Sequence, residues 1–243
     1  MLEFNPVMAN YKLRQLQRDL RRLADPAKAA ILMRFFKTGK GQYGEGDKFL
    51  GVVVPAQRQV AKKYSQLSLV ETEKLLHSKI HEERLTALII LSNQFKRGDN
   101  RSQGRIFKLY LRNTHYINNW DLVDLSAPNI VGAWLYQRDR RVLYRLAGSK
   151  SLWERRIAVL AAFHFIRQGD CADAVKIIEI LLPDEHDLIH KAAGWMLREI
   201  GKHCGENKLK SFLNKYSAQM PRTMLRYAIE RLPAGERKKY LSK

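Results

Sequence analysis

Trp120 and Asp124 stand four positions apart in the stretch Ile117-Asn-Asn-Trp-Asp-Leu-Val-Asp124. On a helix that spacing stacks an indole and a carboxylate on one face. The net charge of +20 makes a carboxylate on an inner face stand out electrostatically from its neighbours. Lys and Arg run along the whole chain rather than in a tail, so the folded body itself attracts a polyanion, with nucleic acid the first candidate. Basic side chains hold phosphates, and tryptophan faces stack on sugars or bases. An aspartate facing the same polyanion weakens binding, so its presence needs a chemical reason. Stabilising an oxocarbenium-like sugar, or positioning water against it, is such a reason. Ordinary glycoside hydrolysis also needs an acid for the leaving group. A base already cationic through alkylation needs no protonation, so one carboxylate suffices for N-glycosidic cleavage of an alkylpurine.

Helices must position such a pair, and the sequence reads as all-α. Apolar residues recur at helical spacing in nearly every segment, and the only β-like run, Val52-Val-Val54, is too short to found a sheet. A first helix is expected from about Met8 to Leu23, with Leu13, Leu16 and Leu20 on one side. Asp25-Pro26 reads as an N-cap followed by proline at the first helical position, opening a helix through Ile31, Leu32 and Phe35 that stops near Thr38. Pro55 opens another, carrying Arg58, Lys62 and Lys63.

From Ser68 onward a repeat emerges. Similar textures recur at Arg84-Leu-Thr-Ala-Leu88, Trp120-Asp-Leu-Val-Asp124, Arg156-Ile-Ala-Val-Leu160, Lys191-Ala-Ala-Gly-Trp195 and, more loosely, Arg222-Thr-Met-Leu-Arg226, giving spacings of 36, 36, 35 and 31. A helical-hairpin period of this size predicts an α-solenoid of stacked hairpins, HEAT/armadillo-like, curved with a basic concave face. Residues 1–243 are read as a single repeat domain, with N-terminal helices over 1–67 and repeats over about 68–243. Trp120 and Arg156 fall at the same repeat position, while Asp124 and Trp195 both fall four residues later. Equivalent positions form rows, so two aromatics, a carboxylate and a guanidinium are candidates for one patch. Each also has a plainer reading: Trp120 and Trp195 as core, Asp124 as a cap before Pro128, Arg156 as half of a surface ion pair.

The one glycine-rich stretch, Gly39-Lys-Gly-Gln-Tyr-Gly-Glu-Gly-Asp-Lys48, does not end in Gly-Lys-Ser/Thr and follows no strand, which argues against a nucleotide-phosphate loop. It reads as a flexible loop, or as a mobile lid contacting a ligand backbone, since Lys37, Lys40 and Lys48 flank Tyr43.

Here the chain resembles the AlkD-like DNA alkylation-repair glycosylases, built of HEAT-like repeats. That family carries aromatic-Asp-x-x-Asp, Trp-x-Arg-Arg and Gly-Trp-x-Leu-Arg-Glu segments in order. This chain has Trp120-Asp-Leu-Val-Asp124, Trp153-Glu-Arg-Arg156 and Gly194-Trp-Met-Leu-Arg-Glu199. Phe35-Phe-Lys-Thr-Gly39, Tyr43 through Gly51, Val54-Pro55 and His81-Glu-Glu-Arg84 are also similar, so the resemblance covers about residues 8–240. It implies excision of N3- and N7-alkylated purines from duplex DNA without metal or cofactor. On that analogy Asp124 stabilises the deoxyribosyl cation or orients water, Trp120 and Trp195 contact deoxyribose and backbone at the lesion, and Arg156 holds phosphate. Arg58, Lys191 and Arg198 are the next candidates for phosphate contacts, with Phe35, Tyr43 and Lys48 completing the expected DNA-binding set. The sequence departs from the family in two ways. Phe35 stands where some members place a tyrosine, and the glycine-rich insertion is longer than in compact members.

Other classes fit less well. Cys171 and Cys204 cannot form a disulfide framework, a four-cysteine zinc site or a four-cysteine iron–sulfur cluster. The seven histidines show no His-Glu-x-x-His pattern; His186 and His190, four apart, could ligate in principle but read better as partly exposed helix residues. Met1-Leu-Glu-Phe-Asn-Pro6 has no leader pattern and no run reaches 18 apolar residues, so a soluble, cytoplasmic protein is expected, nucleoid-associated if bacterial; a monomer is the expected state. Two competing readings use the same features: a non-catalytic binder of branched or structured nucleic acid, and a protein-binding scaffold.

Overall fold

The computed structural model describes residues 6–242, with side chains from residue 11 onward. Residues 1–5, part of the stretch without a leader pattern, lie outside the described set. The chain forms two compact units divided after Ser126. The first holds α1 (Pro6–Arg22), α2 (Pro26–Phe35), α3 (Val54–Lys63), α4 (Leu69–Leu76), α5 (His81–Arg97), α6 (Asn100–Arg112) and α7, which runs Trp120–Ala127 across the division. The second opens with a π-helical turn, Pro128–Gly132, and the short α8 (Ala133–Leu135). There follow α9 (Arg141–Ala147), α10 (Leu152–Arg167), α11 (Ala172–Ile180), α12 (Asp187–His203), α13 (Glu206–Tyr216), α14 (Arg222–Ile229) and α15 (Ala234–Leu241). Among the described residues there is no strand, only an isolated bridge between Lys48 and Ile80. The all-α reading holds, and the five repeat tags fall on five helices, α5, α7, α10, α12 and α14.

In the first unit Leu13, Leu16 and Leu20 bury one side of α1, and α3 and α4 pack on α5. The Asp25 carboxylate caps α2 by accepting from the Lys28 amide, 3.1 Å, with Pro26 at the first helical position. The apolar residues of α2 do not become a core face. None of its residues is buried, and Ile31, Met33 and Phe35 are exposed. Its far end closes in a Schellman turn: the Thr38 amide donates to Met33 O and the Lys37 amide to Arg34 O, with Lys37 at φ 55° where glycine is usual. Only glycine fits at Gly51, where φ is 84° and a Cβ would sit 2.1 Å from Asp25 O.

One turn of α5 holds this unit's segments in register. His81, Glu82, Glu83 and Arg84 are all buried, and between them they reach the glycine-rich loop, the Leu50–Val52 backbone, α1 and α7. Glu82 accepts from the amides of Leu50, Gly51 and Val52 at 3.0, 2.8 and 3.3 Å. Glu83 accepts from Gln17 at 2.9 Å and pairs with Arg21 at 3.2 Å, both on α1. Arg84 donates to Asp47 at 2.7 Å and to Ser78 O at 3.0 Å.

In the second unit α10, α12 and α14 lie side by side, with α9 and α11 on α10 and α13 on α12. Close approach fixes the α12–α14 contact: a Cβ at Gly194 would lie 2.4 Å from Met224 O and 2.6 Å from the Tyr227 Cβ. Gly194→Ala should therefore force the two helices apart and destabilise the protein by about 1–3 kcal/mol, read as a lowered thermal unfolding midpoint. An unchanged midpoint would show that the contact tolerates a methyl group.

Candidate active site

The first turn of α7 is set from outside. The Asn119 side chain accepts from the Trp120 amide at 2.8 Å, and its amide nitrogen reaches Asp47 at 3.4 Å. The Trp120 indole is half-buried. It stacks on Phe36, with centroids 5.2 Å apart and planes 24° apart, and meets the exposed Phe35 edge-on at 5.8 Å. Asp124, one turn further, is also half-buried. Its charge reaches the buried Tyr110 phenol, which donates to or accepts from Ser126 Oγ at 3.0 Å; burial first, and Asp124 next, push that phenol up.

Asp121, between them, has a separate partner. Its Oδ2 lies 2.8 Å from His81 Nε2, while Oδ1 accepts from the Leu122 amide at 2.9 Å. His81 Nδ1 faces Asp47 Oδ2 at 3.3 Å, and the ring stacks on Phe49 at 4.6 Å and lies against Phe36 at 4.9 Å. Burial favours the neutral ring, but the Asp121 charge and the hydrogen bonds to Asp121 and Asp47 outweigh it and hold His81 above the usual histidine value. For Asp47, burial opposes ionisation, yet the His81 hydrogen bond and the Arg84 charge hold it below the usual carboxylate value.

Arg156 and Trp195 belong to the second unit. Arg156 is buried on α10 and donates to Leu188 O in the first turn of α12. The adjacent Arg155 binds Asp184 at 2.5 Å and the carbonyls of Ser149 and Lys150. Thus Trp153-Glu-Arg-Arg156 clamps the chain that leads into α12. The Trp195 indole is half-buried, packs on Phe163 at 5.5 Å and donates to Glu199 at 3.3 Å.

The expected phosphate contacts differ in what holds them. Arg58 and Lys48 are exposed, and Tyr43 is half-buried in the glycine-rich loop. Lys191 pairs with Asp187 at 2.7 Å, and Arg198 closes on Glu230 and lies 3.5 Å from Glu199. The base of the loop is pinned: the Gly44 amide returns to Lys37 O at 3.1 Å, and Asp47 is locked to Arg84. Asp47, His81, Asn119 and Asp121 are site-supporting residues that periodicity does not reveal. The sequence signals for three of them lie in the Tyr43–Gly51, His81–Arg84 and Trp120–Asp124 segments. Among the described residues no group of three His, Cys, Asp or Glu is arranged to hold a metal ion. His186 accepts from the Leu188 amide, and the His190 ring faces Asp184 O.

A family model for DNA alkylation repair enzymes matches residues 16–232. The chain belongs to this family. A solved structure described as a predicted DNA alkylation repair enzyme from Enterococcus faecalis is similar, with a TM-score of 0.66 and 16% identity over 87% of this chain and 97% of that one. At that identity the likeness shows a shared fold. No match appears among curated proteins. Membership supports a role in DNA alkylation repair, as an enzyme with DNA for substrate. Among the described residues no helix is long and apolar enough to cross a membrane.

The Asp47 anchor can be tested in this repair enzyme. Its native pKa lies below its unfolded value, so its contribution is complete above about pH 4 and is lost as pH falls through the native value. Asp47→Asn should cost about 3–5 kcal/mol at pH 7, because it leaves Arg84 and His81 facing a neutral group. Urea unfolding across pH should show the gap between wild type and variant narrowing on the acid side. A gap that widened there would contradict the depressed native value.

Proposed function

We propose that this family member is a DNA glycosylase that releases N3- and N7-alkylated purines from duplex DNA. The observation that carries the reading is Trp120 and Asp124 on successive turns of α7, both half-buried, with the indole face backed by Phe36. Asp121 faces His81 and accepts from the Leu122 amide, and Asp124, one helical turn beyond Trp120, is the acid we assign to chemistry. The glycosidic bond breaks with its electron pair moving to the alkylated base, whose positive charge is neutralised, so no acid is required. The charge appears instead on the deoxyribosyl C1′–O4′ unit, where the Asp124 carboxylate stabilises it. Water then adds at C1′ and gives up a proton, leaving an abasic site.

Trp120 and, from the second unit, Trp195 are assigned to deoxyribose and backbone at the lesion, and Arg156 to phosphate. Arg58, Lys48, Lys191 and Arg198 hold more distant phosphates, with Phe35 and Tyr43 as aromatic contacts. The net charge of +20 supports the polyanion as partner. No metal or cofactor has a step in this scheme, and a monomer suffices for it.

Incubation of the protein with methylated duplex DNA in chelator should release 3-methyladenine or 7-methylguanine. Asp124→Asn should slow release by about tenfold to a thousandfold, the range for losing an electrostatic stabiliser, with duplex affinity nearly unchanged. Tight, salt-dependent binding with no base released, improved by Asp124→Asn, would identify a non-catalytic nucleic-acid binder instead.

The phosphate assignments have their own readout. Arg58→Ala should weaken duplex binding across sequences and reduce the slope of log affinity against log salt by about 0.9. An unchanged slope would remove Arg58 from the interface.

A further inference from the structure

The sequence gives no reason for a buried histidine to stand between two acids beside Trp120. Both ring nitrogens of His81 face carboxylate oxygens, Asp47 Oδ2 at 3.3 Å and Asp121 Oδ2 at 2.8 Å. Ionised carboxylates only accept, so satisfying both requires an N–H on each nitrogen. A neutral ring has one, and would leave the other carboxylate facing a lone pair. The remaining groups around the ring are accounted for. Arg84, on the same helix, opposes the imidazolium charge but is itself paired with Asp47 at 2.7 Å. Asn119 meets Asp47 at 3.4 Å, and Phe36 and Phe49 present their rings, favourable neighbours for a cation.

The three bridged residues belong to three segments: Asp47 to the glycine-rich loop, His81 to α5 and Asp121 to α7. Asp121 follows Trp120 directly, and its other oxygen holds the Leu122 amide. Phe36 touches both the His81 ring and the Trp120 indole. A change at His81 is therefore felt at Trp120 by two routes, through the α7 backbone and through the shared phenyl ring.

We propose that His81 is a positioning residue: doubly protonated, it bridges Asp47 and Asp121 and so fixes the first turn of α7, and with it the Trp120 indole, for action on DNA. It does not touch the reacting atoms. Loss of its proton releases one of the two carboxylates, and the indole loses its fixed seat. The proposal rests on the glycosylase reading only for its kinetic consequence.

The test uses the full chain labelled with ¹⁵N at histidine and tryptophan, titrated from pH 5.5 to 9. The indole signal of Trp120 is identified by its loss in Trp120→Phe. The expected result is a Trp120 indole signal that moves with the His81 ring at one midpoint above the usual histidine value, about 6.5. Single-turnover release of 7-methylguanine should fall about tenfold through the same midpoint. Asp121→Asn should abolish the shared midpoint and flatten the rate profile, because a neutral amide can donate to or accept from either ring form. His81→Gln should do the same if it folds, and Asp121→Asn decides the matter if it does not. An indole signal that stays still while His81 titrates would overturn the proposal, as would a rate profile unaltered by Asp121→Asn. Ring and indole titrating together, with no base released at any pH, would uphold the coupling and sink the glycosylase reading alone.

Discussion

The first unit depends on one buried turn of helix. His81, Glu82, Glu83 and Arg84 place four polar side chains out of water in succession, and between them they are answered by Asp47 of the glycine-rich loop, the Leu50–Val52 amides, α1 and α7. Removing so many charged groups from solvent offsets much of what their mutual attraction supplies, so such a cluster is a weak source of net stability. What it does supply is position. Breaking one member leaves a buried charge unanswered, at about 3–5 kcal/mol, so displaced arrangements of the loop, α1 and the start of α7 are strongly penalised. The packing of Trp120 on Phe36 inherits its geometry from that constraint.

The second unit solves the same problem with small residues and arginine clamps. Gly194 lets α14 approach the backbone of α12, while Arg155 and Arg156 hold the Asp184–Leu188 stretch that leads into α12. The Trp-x-Arg-Arg segment thus has a structural duty beside any role toward phosphate. Arg156 is buried and engaged with a main-chain carbonyl, a setting in which lysine, with no planar fork, is no substitute.

The parts of this architecture that were legible in the sequence are those written locally. The Asp25-Pro26 cap, the leucine face of α1 and the repeat tags depend on residues within a few positions of one another, and each appears in the structure as its local pattern dictates. The candidate site was legible to the same degree, as Trp120 over Asp124. Its support was not. Asp47 meets Arg84 across 37 positions and Asn119 across 72, and no periodicity records such a pairing. Asp47 sits between glycine and lysine, a loop context, and four polar residues opening α5 have the composition of a solvated cap. For α2 the spacing foretold the helix but not the setting of its apolar residues: none of them is buried, and Ile31 and Phe35 are exposed.

That leaves α2 in an unusual mechanical condition. It is secured at its two ends, by the Asp25 cap and the close contact with Gly51 at one and by the Lys37 turn and the buried Phe36 at the other, and none of its own residues is buried between. A segment held this way opens in small local excursions that do not require the rest of the molecule to unfold. Its amide protons would then exchange with solvent far sooner than those of α5. The aromatic pair at its C-terminal end divides accordingly, Phe35 travelling with the opening segment and Phe36 remaining behind as the pivot.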